Sequence, residues 1–212
     1  MKLKLLSALA LIGALMLPTA TQAQTPIANQ VNVNNVAQNG NFTLGFSFTV
    51  ANDMSISALG AYDDLANGFV APKTVGLWTN AGALLSQVSV TNSNALIDNF
   101  RYAAITPVTV SAGTTYVVGA WQYSGSGDVY STAPGGTNPP PGVTTIQGRL
   151  SDTGSFSFPN QLAGTEAYFG ANALIGAVPD VPEPATWGLM IMGFGVAGSA
   201  LRRRPKARFA VA

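Results

Sequence analysis

The chain has 212 residues, room for one domain plus targeting segments, and its few charges are unevenly placed: Lys2 and Lys4 sit at one end, and Arg202, Arg203, Arg204, Lys206 and Arg208 at the other. Between them Lys73, Arg101 and Arg149 meet eight acids from Asp53 to Asp180, so three minus eight leaves the interior at −5 under a whole-chain +1, which argues against nucleic acid as a partner. With no Cys and no His, disulfides, thiol nucleophiles, Cys-based metal sites and His-dependent triads are excluded.

Residues 1–23 read as a secretory signal peptide. Lys2 and Lys4 form a basic start, Leu5 to Leu17 an apolar run too short to span a bilayer, and Thr21-Gln22-Ala23 the small residues expected before a cut after Ala23. Residues 24–40 are polar and read as a linker or a loosely held first strand. Then Phe42, Leu44, Phe46, Phe48 and Val50 alternate with Asn41, Thr43, Gly45, Ser47 and Thr49. That period of two predicts a strand with one buried and one wet face. Further strands are expected over 54–61, 74–79, 84–90, 100–105, 108–110, 115–123, 144–150 and 166–174, separated by Gly, Asn and Asp turn residues. No sustained helical periodicity intervenes, so residues 41–178 are expected to form an all-β domain, an antiparallel β-sandwich or jelly roll.

Candidate sites within this domain compete with plainer readings. Asp63 and Asp64, with Asp128 as a further weak candidate, could offer carboxylates to Ca²⁺, yet Asp, Asn and Gly over 62–68 spell a tight turn. Asp128 opens a long stretch through Pro134-Gly135-Gly136 and Pro139-Pro140-Pro141-Gly142 that reads as an extended surface loop. Its glycines lack the Lys-Ser/Thr and helix of a phosphate loop. Trp78, Trp121, Tyr123 and Tyr130 could stack on sugars, Trp121 and Tyr123 from one strand face, although aromatics at strand spacing commonly fill a core. A glycosidase would need two opposed carboxylates, and the only Glu here, Glu166, has no partner assigned by the sequence.

The stretch from Leu44 to Ala120 resembles the DUF4082 family. The resemblance rests on phrases such as Leu44-Gly45-Phe46-Ser47-Phe48, Leu59-Gly60-Ala61-Tyr62-Asp63, Val75-Gly76-Leu77-Trp78 and Gly113-Thr114-Thr115-Tyr116. It implies a β-sandwich of surface and matrix proteins with no established catalytic activity. Relatives often carry a His just before the Val-Gly-Leu-Trp strand; this chain has Lys73 nearby, so no role for that His carries over.

The tail, residues 179–208, has three parts: Pro182-Glu183-Pro184, an uncharged run over 185–201 that contains Trp187, and Arg202-Arg203-Arg204. As a helix that run would be roughly 25 Å long, the short limit for a transmembrane span. Trp187 suits one interface, and the Arg cluster is a cytoplasmic stop. These residues resemble the PEP-CTERM sorting signal. The resemblance implies recognition by exosortase, a membrane-embedded protease, passage through the inner membrane, removal of the tail near Pro182-Glu183-Pro184, and a link to exopolysaccharide. The expectation is a non-catalytic protein of the cell surface or exopolysaccharide matrix, with no cofactor. A carbohydrate-binding module is the alternative, and a polysaccharide hydrolase a distant third.

Overall fold

The computed structural model describes residues 24–29, 36–38, 40–122, 127–132, 138–163 and 168–177, together with Phe194. The chain divides into two compact units, 1–177 and 178–212, and of the second only Phe194 is described. The predicted signal peptide, the span over 185–201 apart from Phe194, and the sorting residues Pro182, Glu183, Pro184, Trp187 and Arg202–Arg204 lie outside the described residues. Among those described, no helix is long and apolar enough to cross a membrane.

The described strands are β1 (Thr25–Pro26), β2 (Val36–Gln38), β3 (Phe42–Val50), β4 (Met54–Tyr62), β5 (Lys73–Thr79), β6 (Leu84–Val90) and β7 (Ala95–Ile97). They continue with β8 (Phe100–Val110), β9 (Thr115–Gln122), β10 (Val129–Thr132), β11 (Val143–Ser151), β12 (Gln161–Ala163), β13 (Tyr168–Phe169) and β14 (Ala171–Ala177). Every pairing is antiparallel. One sheet runs β1-β14-β4-β8-β7, a second β12-β11-β3-β9-β5-β6, and a small third β13-β10-β2. The all-β antiparallel class expected from the alternation is therefore what forms.

The two large sheets enclose one core. Phe46 and Phe48 of β3, Val75 and Leu77 of β5, and Val118 and Ala120 of β9 meet Ile56 and Leu59 of β4, Phe100 and Tyr102 of β8, and Ile175 of β14. Phe46 sits 5.1 Å from Phe169 by ring centroids, and Phe48 lies 6.0 Å from Tyr116. Burying such side chains contributes roughly 1.5–3 kcal/mol each, which is why the period-two pattern fixes the register so firmly.

Four sequence expectations need correction. The outer face of β3 is not wet: Thr43 and Ser47 are as buried as Phe46. Residues 152–160 fold back across it as a flap, with Trp78 packed 5.3 Å from Phe156 and 6.1 Å from Phe158. Hydroxyls on the outer face bind that flap. The Ser157 amide donates to Thr43 Oγ1 (3.1 Å), and Ser157 Oγ lies 2.6 Å from Ser151 Oγ. The flap seats over a row of glycines in register across three strands, Gly45 on β3, Gly119 on β9 and Gly76 on β5. A Cβ on Gly76 would stand 2.7 Å from the Phe156 ring, and one on Gly119 would stand 3.2 Å from Pro159 Cγ.

Second, residues 100–105 and 108–110 form one strand, not two. The β4–β8 ladder passes from Ala58↔Ala104 to Ile56↔Val108, so Pro107 falls in an irregularity where no ladder hydrogen bond is asked of it. Third, of the two readings of 24–40, the linker gives way to the first strand: Ile27 is fully buried, and β1 pairs with β14. Asn172, also fully buried, extends that pairing past Pro26. Its Oδ1 accepts from the Ala28 amide (3.1 Å), and its Nδ2 donates to the Ala28 carbonyl (2.9 Å). Fourth, the stretch opened by Asp128 is not all loop, because β10 occupies Val129–Thr132 and pairs with β2 and β13. Within the strand expected over 166–174, the described residues from Tyr168 on turn at Gly170 between β13 and β14.

Candidate functional site

Between β4 and β5 the chain makes a loop, residues 63–72, held by a connected set of polar contacts. Asp63 opens it with a side chain wholly out of water. Its Oδ2 accepts from Arg101 Nε (2.6 Å) and its Oδ1 from the Gly68 amide (2.8 Å). Arg101 reaches further, donating through Nη1 to the carbonyls of Asn92 (2.8 Å) and Asn94 (3.2 Å). Asn92 holds the loop from the other side, accepting from the Phe69 amide (2.6 Å) and donating to the Phe69 carbonyl (3.0 Å), much as a paired strand residue would. Gly68 has φ +88, and a Cβ there would lie 3.3 Å from the Asn92 amide.

This bracing holds a strained backbone. Asp64–Ala66 form a single 3-10 turn in which Leu65 (φ 53) and Ala66 (φ 58) are both left-handed. For residues with side chains that conformation costs about 1–3 kcal/mol each and persists only where surrounding contacts enforce it. Leu65 is 72% and Val70 70% exposed, so the loop presents two aliphatic side chains to solvent. Beneath the turn, the Tyr62 hydroxyl donates to Asp64 Oδ1 (3.1 Å). Burial raises the Tyr62 hydroxyl far above its ordinary range, and the charge and hydrogen bond of Asp64, then the charge of Asp63, push the same way. The phenol therefore stays neutral and donates.

The loop forms one wall of a cleft of ≈ 350 Å³, and Gly127, Asp128 and Val129 close the other. Tyr62, Asp64 and Asn67 give it polar groups; Phe69 and Val70 give it an apolar wall. Asp128 is fixed by the buried ammonium of Lys73, and its Oδ1 accepts from the Val70 amide (3.3 Å). Lys73 Nζ also lies 5.6 Å from the centre of the Phe69 ring.

The three candidate carboxylates thus have separate attachments, Asp63 to Arg101, Asp64 to Tyr62 and Asp128 to Lys73, while Asp64 and Asp128 share the cleft. Among the described residues no three carboxylates gather in one place. The aromatic candidates are dispersed. Trp78 is buried under the flap, and Trp121 is half-buried on the same outer sheet face, in register with Thr43 and Thr74. Tyr130 packs edge-on to Tyr168 at 5.6 Å. Tyr123, Ala23 and Glu166 lie outside the described residues.

Sequence reading missed Asn92, Arg101 and Lys73 as the parts that shape this site. For Lys73 a signal existed: it occupies the same alternating phase as Val75 and Leu77, so its side chain enters the interior and requires a buried partner.

A family model described as a domain of unknown function (DUF4082) matches residues 28–170. The chain belongs to the DUF4082 family. In this DUF4082 protein a second model, the PEP-CTERM protein-sorting motif, matches residues 180–204. The motif marks an exported protein sorted by exosortase. No curated protein matches the chain. The braced loop, the cleft and the flap all fall inside the DUF4082 match.

Proposed function

We propose that this DUF4082 protein is a non-catalytic domain displayed on the cell surface or in the exopolysaccharide matrix after its tail is removed. The observation that carries the reading is how the domain uses its carboxylates. Asp63 and Asp128 lie in ion pairs, Asp53 accepts from the Ala112 amide (2.8 Å), and Asp152 accepts from Gln161 (2.9 Å). Each braces a loop, and of the two carboxylates that share the cleft Asp64 holds the Tyr62 hydroxyl while Asp128 holds Lys73, whereas glycoside hydrolysis needs two carboxyls available to substrate. Processed protein incubated with the host's exopolysaccharide should release no new reducing ends. Turnover that disappears when a carboxylate pair is replaced would overturn the reading.

The cleft favours one refinement, carbohydrate binding at the loop. An apolar wall of Phe69 and Val70 beside Asn67 and the Tyr62–Asp64 pair matches the mixed faces of a sugar. This moves the expected binding surface from Trp121 and Tyr123 to the 63–72 loop. Exopolysaccharide pull-down should weaken with Asn67→Ala and persist with Trp121→Ala; the opposite pattern would return the site to the strand face.

A further inference from the structure

Lys73 is the only lysine between Lys4 and Lys206, and the domain puts it where lysines are rarely found. Its side chain is 2% exposed and that of its partner Asp128 is 9% exposed. The ammonium and carboxylate are in direct contact through Nζ and Oδ2, inside a pocket walled by the Phe69 ring. A buried pair of this kind contributes little to stability compared with an apolar replacement, so the ionic contact alone gives a weak reason for it. The same placement does have a chemical use. A primary amine and a carboxyl held together out of water are the two halves of an amide.

We infer that Lys73 and Asp128 form an intramolecular isopeptide bond between Nζ and Cγ in the folded, exported protein. Reaction starts from the proton-exchanged pair, in which an ammonium proton has passed to the carboxylate to give amine and acid. The Nζ lone pair adds to Cγ, and charge gathers on Oδ1, where the Val70 amide donates. Oδ2 takes up the proton released by Nζ and departs as water. One C–N bond forms, one C–O bond breaks, nothing is oxidised, and no co-reactant is needed. Fixing both groups in place supplies an effective molarity on the order of 10⁵–10⁸ M, and the burial of the two side chains opposes the reverse hydrolysis. The bond would join the start of β5 in the six-stranded sheet to the approach to β10 in the small sheet, residues 55 apart in sequence. In a chain without Cys, it would supply the covalent loop closure that a disulfide provides elsewhere.

The test is a tryptic map of the full protein recovered from the cell-surface fraction and denatured before digestion. The expected result is no cleavage after Lys73, with the peptide ending at Arg101 covalently joined to Tyr102–Arg149 and the pair lighter by one water. Complete cleavage after Lys73 with an unmodified Tyr102–Arg149 peptide would reduce the contact to an ordinary ion pair and end the proposal. Lys73→Arg keeps the positive charge but offers no amine able to form the bond, and it should yield unlinked peptides at full mass. If Tyr102–Arg149 is still lighter by one water in Lys73→Arg, the dehydration belongs to another residue and the assignment fails.

Discussion

Asp63→Ala tests the central claim about the loop, that its first carboxylate is a structural brace. Two contacts are lost, the Arg101 Nε bond at 2.6 Å and the Gly68 amide bond at 2.8 Å. Breaking a buried pair costs about 3–5 kcal/mol when the remaining charge has nowhere to go. Here Arg101 is 16% exposed and keeps the Asn92 and Asn94 carbonyls, so the lower end applies, about 3 kcal/mol. For a domain of this size that lowers Tm by roughly 6–12 °C. Arg101→Met should cost more, about 4–5 kcal/mol, because it strands a carboxylate with no access to water and only the Gly68 amide to bind. The double variant should be less destabilised than the sum of the two. Urea titration followed by tryptophan fluorescence gives all three values, provided the slope with urea stays constant. Equal stability of Asp63→Ala and the parent would refute the brace. A rise in the parent's Tm with millimolar Ca²⁺ that vanishes in Asp63→Ala would instead make the carboxylate a metal ligand.

Gly45→Ala should destabilise the domain by at least about 3 kcal/mol, because its Cβ would lie 1.9 Å from the Val118 carbonyl oxygen on the neighbouring strand, where only backbone could yield. Near-parent stability in urea would show that the strands can part. Tyr62 and Tyr102 are both raised from the ordinary 10.0, first by burial and then by Asp64 and Asp98 respectively, so the folded state resists ionising them. Their contribution is complete below that pH and is lost as pH climbs above it, where only the unfolded chain ionises freely. A double Tyr→Phe variant should therefore lose less stability between pH 9 and 11 than the parent, read from urea midpoints, and an identical decline would contradict the assigned burial. For the tail, intact-mass measurement of the surface fraction should find a form lacking residues from about Pro182 onward. Replacing Pro182-Glu183-Pro184 with Ala should retain the longer form in the inner membrane, and unchanged release would remove the motif from the mechanism.

Local pattern settled a good deal about this protein. Alternation from Phe42 to Val50 names the inward faces of β3, and Phe46 and Phe48 do lie in the core. The motif Pro182-Glu183-Pro184 with its apolar run and Arg cluster is legible because sorting machinery reads a linear segment. The outer face of the same strand was not legible. Thr43, Gly45 and Ser47 look like solvent positions, and nothing local tells that a flap whose Ser157 lies 114 positions after Thr43 will fold over this face. The glycine row makes sense only once three strands set Gly45, Gly119 and Gly76 side by side. Asp63 looked like a turn residue or a metal ligand because a carboxylate's role depends on which cation reaches it, and Arg101 arrives from a strand 38 residues away. Lys73 and Asp128 likewise read as an isolated base and a loop acid until the fold buries them together. Periodicity and linear motifs act through neighbours in the chain, so sequence alone decides them. Which polar groups meet out of water depends on strand order and loop closure, and that is decided only by the tertiary structure.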